Sequence, residues 1–166
     1  MEVRVLYHLS RYQTFRLAPV QFILGWLIFY GAAVFFAGSV YAQAPSSNLL
    51  EVVKASNGDE VQRLLDGGAD AHVVGLDGST TLLWASYQDD LQMARTLLAA
   101  GVSVNQANDL GVTPLWAASE NGSGSMTALL LAAGADPNRM LLSGESPVMV
   151  AARAGSVEVV RQLALA

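Results

Sequence analysis

The sequence predicts an all-α solenoid of about four helix-turn-helix units, preceded by an apolar N-terminal helix. Two series of glycines recur every 33 residues downstream of residue 67. Amphipathic helical patterns lie between these glycines at the same period, and a stretch without charged residues precedes them from Leu17 to Leu50. A single short helix pair cannot bury its apolar face alone, so neighbouring units must stack.

The first 42 residues have the layout of a secretory signal peptide. Three arginines against one glutamate give residues 1–16 a net charge of +2. Residues 20–41 supply the roughly 20 apolar residues that a membrane-spanning helix needs. Small residues then precede a predicted cleavage between Ala42 and Gln43. The alternative is an uncleaved signal anchor, because the apolar stretch exceeds the usual core of a signal peptide, about 7–15 residues.

Both alternatives place the chain beyond residue 43 outside the cytoplasm, because the basic residues flank only the N-terminal side of the apolar stretch. We therefore expect a periplasmic or otherwise exported protein, or one anchored in the inner membrane through residues 20–41. An exported product that begins at Gln43 would distinguish cleavage from anchoring. A short linker at residues 43–47 is expected to connect this leader to the repeats.

The glycines set the register of the repeats. One series lies at the ends of the amphipathic patterns, at Gly68, Gly101 and Gly134. A helix often ends with a residue in the left-handed conformation, which glycine adopts without steric strain because it has no Cβ. The other series lies two residues before each helix start, at Gly78, Gly111 and Gly144. At the helix start Thr113-Pro114, the hydroxyl can cap the helix and proline occupies the first turn, where its missing N–H is not needed.

The unit between Asp109 and Asn138 carries two sequence motifs. These are the helix start over residues 113–118 and the Leu-Leu-x-x-Gly-Ala-Asp ending over residues 130–136. Together they resemble the ankyrin repeat. The resemblance covers residues 48–166. It implies the family's stacked helix pairs with projecting β-hairpin turns and its role in protein recognition. It implies a degenerate first repeat at 48–74, repeats at 75–107 and 108–140, and a truncated repeat at 141–166.

Two departures from the family pattern carry expectations. Leu83, Trp116 and Met149 stand where the family has histidine, so apolar packing must replace the hydrogen bond of that side chain. Gly124 stands where other repeats have Leu91 or Val157. Because glycine costs a helix about 1 kcal/mol relative to alanine, the second helix of the third unit is expected to start late or fray.

No catalytic, cofactor or metal site is predicted, and we expect a protein that is not an enzyme. The chain has no cysteine and two histidines, His8 and His72, so it lacks an obvious ligand set. Asp89-Asp90 precedes a helix and is interpreted as a cap. With 9 basic and 14 acidic residues, nucleic-acid binding is not favoured.

The resemblance implies that hairpin tips and the solvent side of the first helices form one concave binding face. Mapped through the 33-residue register, the candidate partner-binding residues are Leu76, Asp77, Ser79, Tyr87, Gln88, Asp109, Leu110, Val112, Glu120, Asn121, Met140, Leu142, Ser143, Glu145 and Arg153. Four of them would form an apolar row along the tips, of a kind that monomers seldom expose without use. The open alternative is that these side chains fold against neighbouring hairpins.

The sequence therefore favours an exported ankyrin-repeat module that binds a protein partner of unknown identity through hairpin tips and helix face. The alternative is a membrane-anchored structural or assembly subunit whose repeats serve as a soluble handle. An enzyme would need a polar catalytic cluster, and none is evident in the sequence.

Overall fold

The computed structural model describes residues 46–166, with side chains described from residue 49 onward. The predicted leader at residues 1–42, the cleavage point between Ala42 and Gln43, and residues 43–45 of the linker lie outside the described residues. None of the helices within residues 46–166 combines the length and hydropathy that crossing a bilayer requires.

The described part of the chain forms eight helices arranged as four successive pairs. They are α1 (Ser46–Lys54), α2 (Gly58–Asp66), α3 (Thr81–Tyr87), α4 (Leu91–Ala99), α5 (Pro114–Glu120), α6 (Gly124–Ala132), α7 (Pro147–Arg153) and α8 (Val157–Leu165). This architecture confirms the predicted all-α solenoid.

The pairs stack in two layers. The first helices of the pairs contact one another in the order α1, α3, α5, α7, and the second helices do so in the order α2, α4, α6, α8. One continuous apolar core lies between the layers and includes the fully buried Leu82, Leu97, Leu115 and Leu130. Burying such a side chain contributes roughly 1.5–3 kcal/mol, so the stack is stabilised mainly by contacts between neighbouring pairs.

Side-chain caps begin the first helices after the opening pair. The hydroxyls of Thr80, Thr113 and Ser146 accept hydrogen bonds from backbone N–H groups three residues later. For Thr113 the acceptor lies 3.2 Å from the nitrogen of Trp116. The predicted acidic cap is also present, because the Asp90 carboxylate accepts from the N–H of Met93 at 2.9 Å. Such caps satisfy N–H groups that have no partner within the helix.

The predicted hairpins are three tight turns at the same register. We call them hairpin 1 (residues 75–79), hairpin 2 (108–112) and hairpin 3 (141–145). In each, the first residue donates its N–H to the carbonyl of the last, over 2.8, 3.0 and 2.9 Å respectively. Among the described residues these turns form no extended strand, and the β-pairing is limited to a single antiparallel bridge between Val74 and Thr80.

Adjacent hairpins are hydrogen-bonded to one another. The N–H of Asp109 donates to the carbonyl of Asp77 at 3.0 Å, and the N–H of Leu142 donates to the carbonyl of Leu110 at 3.1 Å. Gly111 has a φ of +85°, which favours glycine. The absence of a side chain there also lets hairpin 3 approach closely, so this glycine serves both the turn and the stacking.

The expected late start of the second helix in the third unit is wrong. Helix α6 begins at Gly124, one period after Leu91, where α4 begins. The hydroxyl of Ser123 caps it by accepting from the N–H of Met126 at 3.3 Å, which offsets part of the cost of glycine. A Cβ at Gly124 would lie 3.1 Å from Cγ of Glu158, so glycine leaves room for the neighbouring helix α8.

Candidate functional site

The tips of the three hairpins present apolar side chains to solvent. Each tip consists of one leucine and one polar residue: Leu76-Asp77, Asp109-Leu110 and Leu142-Ser143. Met140 immediately precedes hairpin 3. The three leucines and this methionine, Leu76, Leu110, Met140 and Leu142, are called the hairpin row. Leu76 is fully exposed and the other three side chains are more than half exposed. They therefore do not fold against neighbouring hairpins, which resolves the alternative that the sequence left open.

A second set of exposed residues lies at the C-terminal ends of the first helices. Tyr87, Glu120 and Arg153 are one period apart, and each is the last residue of its helix. Arg153 pairs with Glu145, which ties the end of α7 to hairpin 3. The pKa of Tyr87 is raised, first by burial and then by the negative charges of Glu120 and Asp77. These interactions place the helix ends beside the hairpins on one face, which we call the hairpin face.

Two of the predicted binding residues hold adjacent repeats together. The amide nitrogen of Gln88 donates to the carbonyl of Lys54 at 2.7 Å. One period later, the amide nitrogen of Asn121 donates to the carbonyls of Ser86 and Tyr87, both at 3.0 Å. Each side chain thus bridges from its own repeat to the preceding one. Their binding role stays a prediction, but the structure shows that they fix the geometry of the hairpin face.

Two of the predicted surface residues are buried instead. Ser79 is 3% exposed and Val112 is 6% exposed. The hydroxyl of Ser79 donates to the carboxylate of Asp77 at 2.7 Å, which is a hydrogen bond within hairpin 1. Val112 packs into an apolar cluster below hairpin 2. The last residue of these hairpins points inward, so Ser79 and Val112 are removed from the exposed surface. Glu145, at the same register position, is partly exposed.

Acidic side chains lie beside the hairpin row. Hydrogen bonds from the hydroxyl and the backbone N–H of Ser79 hold the pKa of Asp77 below its usual value. Asp77, Asp109 and Glu120 are exposed, and no ion pair involves them within the part of the chain that the structure describes. The hairpin face therefore combines apolar tips with unneutralised negative charge.

An apolar cluster lies beneath hairpins 2 and 3. It contains Leu83, Val112, Trp116, Ala117 and Val150. Leu83 and Trp116 stand at the family's histidine position, and apolar packing replaces that side chain there, as expected. Met149, the third residue at this register, is instead 56% exposed. The sequence predicts that apolar residues replace the family's histidine. It does not predict the cluster, because Val112 and Val150 contribute to it from different repeats.

No site for chemistry emerges on the described residues. Residues 46–166 contain no group of three or more histidine, cysteine or acidic residues that could hold a metal. The backbone N–H of His72 donates to the Asp70 carboxylate at 2.9 Å. The same turn contact recurs two periods later between Asn138 and Asp136. His72 therefore belongs to a repeated turn.

Comparisons with known proteins agree with this architecture. A family model for ankyrin repeats in three copies matches residues 49–141. The chain is similar to Protein PhlB of Serratia liquefaciens, with 39% identity over 80 residues, covering 42% of the chain and 35% of PhlB. It is also similar to the mitochondrial disaggregase of Homo sapiens, with 44% identity over 72 residues. The corresponding protein of Bos taurus is 38% identical over 72 residues. Each of these two matches covers 42% of the chain. They cover 10% of the human disaggregase and 11% of the bovine one.

Proposed function

Because this chain belongs to the ankyrin-repeat family, whose members serve as protein-binding modules, we propose that its hairpin face holds a protein partner and that the chain carries out no catalysis. The observation that carries the proposal is the hairpin row. Three leucines stand at the tips of three successive hairpins and are exposed together with Met140. We take their repetition at adjacent tips as the basis of the proposal, because exposed apolar patches mark interaction sites.

The rigidity of the tips strengthens this proposal. The hairpins are hydrogen-bonded to each other, and hairpins 2 and 3 contribute Val112 and Leu141 to the apolar cluster that contains Trp116. Binding to a preformed surface loses less conformational entropy than binding to a mobile loop. The apolar tips are therefore held ready to contact a partner without rearrangement.

We further propose that the repeats act outside the cytoplasm. The support is the basic segment at residues 1–16 followed by the uncharged stretch at 17–50. If the leader stays attached, the protein is a membrane-anchored structural or assembly subunit, and the length of the apolar stretch favours that second candidate.

The disaggregase activity of the mitochondrial relatives is not carried over to this chain. The similarity covers about a tenth of those proteins. The bacterial relative is also matched over only 35% of its length.

Replacing Leu110 and Leu142 together by glutamate is expected to abolish partner capture while leaving helicity unchanged. The two side chains are exposed, so no core packing is lost, whereas two charges enter the apolar row. Tagged full-length chain is used to recover partners from the source organism, and recovery is quantified by mass spectrometry. We expect recovery to fall at least about tenfold, equivalent to about 1.4 kcal/mol, with unchanged far-ultraviolet circular dichroism.

The matched control for this experiment adds the same two charges elsewhere. Val157→Glu with Leu165→Glu alters side chains that are 81% and 78% exposed. Both residues lie on α8, in the layer formed by the second helices of the pairs. This control is expected to recover partners like the unmodified chain. Equal recovery by the Leu110 and Leu142 variant, or equal loss in the control, would contradict the proposed binding face.

A further inference from the structure

The charges on the hairpin face are unbalanced. Two cationic side chains near it are already paired, Lys54 with Glu51 at 2.8 Å and Arg153 with Glu145, whereas the exposed Arg139 beside Met140 forms no ion pair within residues 46–166. The carboxylates of Asp77, Asp109 and Glu120 form no such pair within residues 46–166. The same part of the chain carries six basic against thirteen acidic residues. The surface left for a partner is therefore negative.

These carboxylates lie beside the apolar row rather than on a separate patch. Asp77 and Asp109 are the chain neighbours of Leu76 and Leu110 at adjacent tips, and the backbones of the two aspartates are hydrogen-bonded at 3.0 Å. Glu120 and Asp77 both act on Tyr87 through their charge, so the helix end and hairpin 1 share one electrostatic environment. A ligand that covers the row must also meet this negative charge.

From this combination we propose that the hairpin face takes an extended segment of a partner protein in which apolar residues alternate with lysine or arginine. This inference rests on the proposed function of the face. Apolar side chains of the segment pack on Leu76, Leu110 and Leu142, and its cations lie against Asp77, Asp109 and Glu120. Charge complementarity of this kind selects partners and speeds their association.

The repeat spacing sets the pattern of the segment. Packed helices are separated by about 8–10 Å, so equivalent tips of adjacent repeats are separated by a similar distance. An extended chain advances about 3.3 Å per residue. An apolar residue at about every third position therefore falls near successive tips, with the cationic residues between them facing the carboxylates. The leucine is the first tip residue of hairpins 1 and 3 and the second tip residue of hairpin 2.

The test uses a labelled synthetic peptide of four Leu-Arg-Ser units titrated with the full-length chain and followed by fluorescence anisotropy. Two comparison peptides replace every arginine by glutamate or every leucine by alanine. We expect the Leu-Arg-Ser peptide to bind at least about tenfold more tightly than either comparison peptide. Its binding should weaken as salt screens the charges.

Matched variants localise the effect to the hairpin face. Asp77→Asn, Asp109→Asn and Glu120→Gln together remove three charges while keeping side-chain oxygens that can accept hydrogen bonds. We expect this variant to bind the Leu-Arg-Ser peptide about tenfold more weakly. A control removes three carboxylates elsewhere, at Asp59, Asp66 and Asp136, each changed to asparagine. It has the same net charge and is expected to bind like the unmodified chain.

Three results would overturn the inference: no binding of the Leu-Arg-Ser peptide, equal binding of either comparison peptide, or an equal loss in the control variant. None of these would by itself contradict the hairpin face as a protein-binding surface. That proposed function fails only if charges at Leu110 and Leu142 leave capture of the natural partner unchanged, or if the control charges at α8 abolish it equally.

Discussion

Replacing Trp116 by alanine is expected to lower the free energy of unfolding by about 3–5 kcal/mol, the usual cost of removing a buried aromatic side chain. The indole is 6% exposed and packs against Leu83, Val112 and Val150. These contacts join hairpin 2 to three successive first helices. Their loss leaves a cavity where the repeats meet, and the effect is measured by urea unfolding of the full chain followed by circular dichroism.

The equivalent residue of the next repeat serves as the control for this substitution. Met149 stands one period after Trp116 but is 56% exposed. Met149→Ala removes few buried contacts and is expected to cost less than about 1 kcal/mol, as surface substitutions usually do. Equal losses for Trp116→Ala and Met149→Ala would show that the cluster beneath hairpin 2 does not contribute to stability as described.

Replacing Gly111 by alanine is expected to destabilise the stack by about 2–4 kcal/mol, because two costs combine. Alanine is strained by roughly 1–2 kcal/mol at the φ of +85° that this residue adopts. Its Cβ would also lie 3.0 Å from the nitrogen of Leu142 and 3.2 Å from Cα of Leu141. Backbone atoms cannot rotate away, so hairpin 3 must shift and its hydrogen bond to Leu110 is weakened.

Gly144 separates the two costs. It has the same φ of +85°, but a Cβ there would have no atom within 4 Å. Gly144→Ala is therefore expected to show the conformational cost alone, about 1–2 kcal/mol. The difference between the two variants, measured in parallel urea unfolding curves, reports the stacking of hairpin 3 on hairpin 2. Identical unfolding curves would be inconsistent with that stacking.

Local features of the fold could be predicted from the sequence because each depends on a few adjacent residues. Gly68, Gly101 and Gly134 adopt positive φ values of 84–88°, as the repeated endings indicate. The caps at Thr113 and Asp90 are equally local, since a side chain bonds to an N–H three residues away. The 33-residue period then carries these features from one repeat to the next.

Features that depend on contacts between repeats were harder to predict. The register placed Ser79 and Val112 on the binding face, yet both are buried because hairpins 1 and 2 turn their last residue inward. At the same register position, Glu145 extends to Arg153. Gly124 at the start of α6 likewise lies where α8 approaches, since a Cβ there would lie 3.1 Å from Cγ of Glu158. The propensity of glycine alone does not include that contact.

The exposure of the hairpin row also required the structure. Leucine at a turn can either pack on its neighbour or face solvent, and the pattern of apolar residues is the same in both cases. Hydrogen bonding between adjacent hairpins fixes their backbones side by side. That arrangement leaves Leu76, Leu110 and Leu142 exposed at the tips. The candidate site therefore depends on the stacking of the hairpins as well as on the presence of leucine at their tips.

Site-specific photo-crosslinking tests most directly whether the hairpin face holds a protein partner. A photoreactive residue is introduced at Leu110 in the full chain. In a separate variant it is introduced at Arg95, an exposed residue of α4 in the layer of second helices. We predict that one protein of the source organism is crosslinked from Leu110 and not from Arg95. Crosslinking of that protein from Arg95 but not from Leu110 would contradict the account.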